Sequence, residues 1–133
     1  PSSRHWPSIS AELMAQGVHY PKMEGRQVFK HAVTRMPEAV HKALSHNQMT
    51  PDDVDLFLFH QANLRINEAV IKHLEQPLSK TFNNIERYGN CSAASIPMCL
   101  DEVVRSGRVK SGDAICMAAF GAGFMWASAL MRW

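Results

Sequence analysis

Metal-binding and redox spacings are missing from this chain: its three cysteines, Cys91, Cys99 and Cys116, are odd in number and form no CxxC pair. That excludes a disulfide framework and a zinc knuckle, and it fits a reducing cytoplasm. His41 and His46 are five apart and miss the i, i+4 face a helical metal pair needs, so no metal site is expected. No block of Lys or Arg exists. With 14 basic against 12 acidic residues, the formal charge of +2 is too small for a nucleic-acid binder. The opening PSSRHWPSIS lacks the apolar core of a signal peptide and begins with Pro rather than Met, which reads as a piece of a longer chain. Repeats and low-complexity stretches are absent as well. A single run, residues 114–131, stays uncharged over nearly the length of a membrane span. Gly121 and Gly123 interrupt it, and alanines stand where a lipid-facing helix carries Leu and Ile. The run therefore predicts two buried strands joined by a tight glycine turn, with no membrane span.

What is present suffices for one core: 46% of the 133 residues are hydrophobic. Residues 1–25 hold Pro1, Pro7, Pro21, Gly17 and Gly25 without sustained periodicity, and predict an irregular covering or linker segment with no element. Residues 26–133 predict a single α/β unit. From Gln27 onward, Phe29, Ala32, Val33, Met36, Val40, Ala43 and Leu44 share one helical face, and Pro37 within it predicts a kink or restart near Met36. VDLFLFH is a short apolar run suited to a strand buried on both faces, with His60 at its carboxyl end. Ile66, Ala69, Val70, His73 and Leu74 predict a helix starting just after Asn63. RYGNCSAAS supplies a turn and an N-cap, Ser92 or Ser95, for a helix that Ile96, Cys99, Leu100, Val103 and Val104 continue and Gly107 closes.

Ligand sites in such sheets gather beyond the carboxyl ends of strands, where both His60 and the FGAGF turn fall. His60 is either a satisfied core imidazole or a substrate-facing group, and Asn90 either a second donor or a turn residue after Gly89. Converging on one oxygen, the two side chains make an oxyanion hole, each donor contributing on the order of 3 kcal/mol. The FGAGF backbone is either an anion site or a plain hairpin turn. Cys91 has no activating neighbour and reads as small packing at a helix start.

HQANLR, RYGNCSAASIPMCLDEVVRSGRVKSGD and AFGAGFMWASALMRW, together with MEGRQVFKHAV upstream, resemble the C-terminal half of the β-ketoacyl-acyl carrier protein synthase III family. The likeness runs from about Tyr20 to Trp133. It implies half of a thiolase-type αβαβα fold, a mixed buried sheet with covering helices. His60 and Asn90 match two members of the family's Cys-His-Asn triad, and the nucleophilic cysteine would lie in the first half. The resemblance further places Gly25, Phe29, Ala32 and Asn63 along a pantetheine channel. It sets Phe120 beside the triad, with Gly121 and Ala122 in a backbone acyl oxyanion hole. Ala122 stands where the family often has glycine, a strained choice if φ there is positive. Arg65 and Lys30 match a basic surface for the acyl carrier protein or for coenzyme A phosphates, while Lys72, further along, either joins them or is a plain solvated face, the reading preferred. Acyl-coenzyme A and phosphopantetheine thioesters are the implied substrates, without a separate cofactor, and the intact enzyme is expected to be a homodimer. A degradative thiolase is disfavoured because Phe120, not cysteine, precedes GAG. A polyketide-type starter enzyme and a non-catalytic carrier-docking half-domain remain as alternatives.

Overall fold

The computed structural model describes residues 10–20 and 22–133. Within the segment expected to be featureless, Ser10 caps a short helix α1 (Ala11–Ala15), its hydroxyl accepting the Leu13 N–H. The expectation of no element before residue 26 is therefore corrected; its part covering residues 1–9 lies outside the described residues. Five residues are too few to show a helical period, so only the cap could have signalled this element.

Helix α2 spans Gly25–His46. Ala32, Met36, Val40 and Leu44, spaced by four, are its buried stripe. The expected restart does not occur, because the helix continues through Pro37, which is itself buried. A proline here removes one backbone bond. Burial of the apolar residues on either side of Pro37 holds the helix together across that gap.

Strand β1 (Leu56–Phe59) is buried at all four positions. Successive side chains alternate faces. Phe57 and Phe59 pack with the α2 stripe and with Ile66, Val70 and Ile71 of helix α3 (Leu64–His73). Leu56 and Leu58 pack on the other face with Cys99 and Val103. Those two belong to helix α5 (Ser95–Arg105), which follows a single turn, α4 (Ile85–Tyr88). Strand β2 (Ala114–Gly121) lies parallel to β1, and β3 (Met125–Arg132) pairs antiparallel with β2 along all eight residues. The sheet is mixed, in the order β1-β2-β3, and helices cover both of its faces. This matches the α/β architecture expected.

Two expectations fail in instructive ways. β3 is not buried: it is an edge strand, with Met125 and Trp126 exposed, because no strand among the described residues covers its second edge. Neither Ser92 nor Ser95 caps α5; the cap position is Ala94, with no side-chain bond. Ser92 sits at φ +49 within a 3-10 turn, and the Ser95 hydroxyl is engaged elsewhere. Gly107, at φ +70, ends α5 as expected.

Candidate active site

The parallel ladder runs one residue past β1, where the His60 N–H donates to the Ala118 carbonyl at 3.0 Å. That bond fixes the histidine just past the carboxyl end of β1, against the second half of β2. Its ring is half-buried, with Nδ1 2.7 Å from the Ser95 hydroxyl. Burial pushes the imidazole below its ordinary pKa of 6.5, so the ring is neutral at neutral pH.

Asn90 follows Gly89, whose φ of +66 suits glycine and turns the chain out of α4. The Asn90 side-chain oxygen accepts the Ser92 N–H at 2.9 Å. With its oxygen so engaged, the carboxamide keeps its two N–H donors on the exposed side. Asn90 is thus a turn residue and a donor at once, and the two readings left open by the sequence coexist. His60 and Asn90 are both held by the segment 90–95, one through Ser95 and the other through Ser92.

Behind His60 lies a buried polar network that the sequence did not reveal. Gln61, fully buried, donates from Nε2 to the Phe59 carbonyl at 2.8 Å and to Asn83 at 3.3 Å, and its oxygen accepts the Asn84 N–H at 3.1 Å. Asn67 on α3 also donates to Asn83, at 2.7 Å. The Asn84 amide donates to Glu102 at 2.8 Å, and the Cys99 thiol donates to the Asn84 oxygen at 3.1 Å. Hydrogen bonds from Asn84 and then from Arg87 hold the Glu102 carboxyl below the usual range. Each interior amide is thereby partnered, at least in part, and the loop carrying His60 is tied to α3 and α5. The only sequence signal was three amides, Gln61, Asn83 and Asn84, beside apolar runs.

The structure draws some of the other candidates together. Arg65, in the first turn of α3, places its guanidinium 5.9 Å from the ring centre of half-buried Phe29 on α2. Asn63 caps α3, its oxygen accepting the Arg65 N–H at 3.0 Å. Gly25 opens α2 with nothing within 4 Å of where a Cβ would sit. Lys30 is exposed on the same helix. Ala32, by contrast, is inside the core. Lys72 lies in the last turn of α3, about two turns from Arg65, and lines a separate cleft with Glu68 and Glu75. It does not join Arg65.

At the far end of β2, Phe120 is buried and packs against Phe124 at 5.0 Å between ring centres. Gly121 ends the strand and Ala122 begins the turn. Ala122 has no positive φ, so alanine is unstrained there. The left-handed residue is Gly123, at φ +144, where an added Cβ would lie 2.7 Å from the Met125 side chain. Burial pushes the thiols of Cys99 and Cys116 up to about 11 and about 12, which leaves neither as an attacking thiolate. The Cys91 thiol donates to the Tyr88 carbonyl at 3.3 Å. Among the described residues, no cluster of His, Cys, Asp and Glu is suited to a metal, and no helix is long and apolar enough to cross a membrane.

A mixed sheet between helix layers, with a neutral histidine at a strand end and an asparagine on the adjoining turn, defines the C-terminal half of a thiolase-type fold. Residues 44–133 match the family model described as 3-oxoacyl-[acyl-carrier-protein (ACP)] synthase III C terminal, and the chain belongs to that family. It is 49% identical over 122 residues to the beta-ketoacyl-[acyl-carrier-protein] synthase III of Roseiflexus castenholzii, covering 92% of this chain and 37% of that one. The Thermus thermophilus synthase III structure superposes with a TM-score of 0.82 at 46% identity, over 84% of this chain and 35% of that one. The priming beta-ketosynthase of the R1128 polyketide pathway does so with a TM-score of 0.79 at 35% identity, over 90% and 38%. The chain spans less than two fifths of the length of the curated relatives it matches.

Proposed function

We propose that this chain supplies the two oxyanion donors of a cytoplasmic, homodimeric condensing enzyme. The enzyme would join an acyl-coenzyme A starter to malonyl-acyl carrier protein, giving a 3-oxoacyl-acyl carrier protein at the start of fatty-acid synthesis. One observation supports this most. A neutral strand-end imidazole and a carboxamide with its oxygen already engaged are hung from the same short segment, residues 90–95.

In this reading, a cysteine elsewhere in the intact enzyme takes the acyl group and releases coenzyme A. The malonyl thioester then loses carbon dioxide, and the electron pair of the broken bond passes into an enolate. Charge appears on the thioester oxygen, where the Nε2–H of His60 and the Nδ2–H of Asn90 donate to it. Uncharged donors fixed in advance lower the barrier without solvent reorganisation. The enolate carbon attacks the acyl-cysteine, a carbon–carbon bond forms, and the cysteine leaves as thiolate. No metal or separate cofactor enters these steps.

Phe29, Gly25 and Asn63 would border the pantetheine arm, with Arg65 and Lys30 receiving phosphate or carrier. Phe120, Gly121 and Ala122 would form the acyl side. Ala32 would act only by packing beneath the arm. The polyketide neighbour supports a second reading, a polyketide starter enzyme of the same chemistry, which the acyl group loaded would distinguish.

The test grafts this chain onto the preceding part of the Roseiflexus castenholzii relative. Acyl loading is followed by mass spectrometry and malonyl decarboxylation by carbon dioxide release. His60→Ala and Asn90→Ala are each expected to slow decarboxylation about 10²–10³-fold while loading persists. Decarboxylation at the parent rate in either variant would overturn the reading.

A further inference from the structure

Neutral imidazole carries one proton on one of two nitrogens, and only the Nε2–H form presents a donor away from Ser95. The surroundings of the Ser95 hydroxyl decide between them. Its oxygen lies 3.1 Å from the Gln61 backbone nitrogen and 2.7 Å from His60 Nδ1. A backbone N–H only donates, so Gln61 occupies a lone pair of the hydroxyl and leaves the hydroxyl proton to find its own acceptor. Ser95 is 2% exposed, which removes bulk water as that acceptor. Among the described residues, Nδ1 is the other polar atom within hydrogen-bonding distance of the hydroxyl, and the one able to accept its proton. The proton therefore points at Nδ1, and the ring proton sits on Nε2.

We propose that Ser95 is a positioning residue that locks His60 in its Nε2–H tautomer, with the Gln61 backbone N–H aiming the hydroxyl. For its role in condensation this rests on the donor function assigned to His60 above; the tautomer itself does not. The arrangement explains why Ser95, at the start of α5, gives up the capping role. One hydroxyl takes a bond from the residue after the histidine and returns one to the ring, so backbone and side chain are fixed by the same atom.

The test is nitrogen-15 NMR of the histidine-labelled chain near pH 8, above the ordinary imidazole pKa of about 6.5. The His60 resonances are assigned by their loss in His60→Gln. The parent chain is expected to show the Nε2–H pattern. Ser95→Ala is expected to raise the Nδ1–H share about tenfold, the equivalent of one ordinary hydrogen bond. Ser95→Thr, which keeps the hydroxyl, should restore the parent pattern. A parent chain with the proton on Nδ1, or a Ser95→Ala chain with unchanged tautomer, would overturn the proposal. Should Ser95→Ala unfold, the parent spectrum alone decides. Failure of the donor function would show separately, as unchanged decarboxylation in the His60→Ala graft.

Discussion

At the scale of single residues, the proposed chemistry rests on what burial does to one ring. His60 loses water without gaining an anionic partner, so its pKa falls. An unfolded chain then binds more protons than the folded one between the folded pKa and 6.5. Stability is full above 6.5 and declines as pH falls through that window. Denaturant midpoints measured from about pH 8 down to 5 are expected to show this acid-side loss, and His60→Asn to show less of it. Equal slopes in both chains would contradict the assignment. His60 and Asn90 were legible because strand-end and turn positions are visible in local pattern. Ser95 was not, since its partner lies 35 residues away and a serine at a helix start ordinarily caps. Gln61 and Asn84 were hidden for the same reason: the partners that tie them across the fold lie 18 to 23 residues away.

Among the elements, those with a full apolar period declared themselves. The α2 stripe and the i, i+3, i+4 sets of α3 and α5 are each long enough for burial to impose a repeat, and β1 shows as an unbroken apolar run because both its faces are buried. α1 and α4, with five and four residues, have no such repeat to display. β3 misled because its composition is that of a buried strand, while its burial depends on which strands lie beside it. Two substitutions probe this level. Phe57→Ala removes a fully buried ring from the α2 side of the sheet and is expected to cost about 3–5 kcal/mol in urea unfolding. Gly123→Ala must hold a left-handed backbone and push aside Met125. Its expected cost is about 1–3 kcal/mol, confined to the β2–β3 turn, whereas Ala122→Gly is expected to bring no gain. A neutral Gly123→Ala would show that the turn relaxes.

For the molecule as a whole, the open side of the sheet dominates. Phe124, Met125, Trp126 and Trp133 are all exposed, and a groove of about 890 Å³ runs between α2 and β3. An uncovered edge beside apolar surface favours self-association. Sedimentation of the isolated chain is expected to show dimers or larger species that bind an apolar dye; a monomer that binds none would contradict this. The strand is also fastened to the helix beside it. Ser128 fastens β3 to α2 through a 2.6 Å bond to the Ala39 carbonyl, and Arg35 lies over the Trp126 ring at 5.3 Å. A strand fastened on one face by α2 and along one edge by β2 leaves its other edge without a partner among the described residues, and that edge is expected to accept an added strand. An extended segment that reaches this edge is expected to pair with it, and one drawn from another copy starts association.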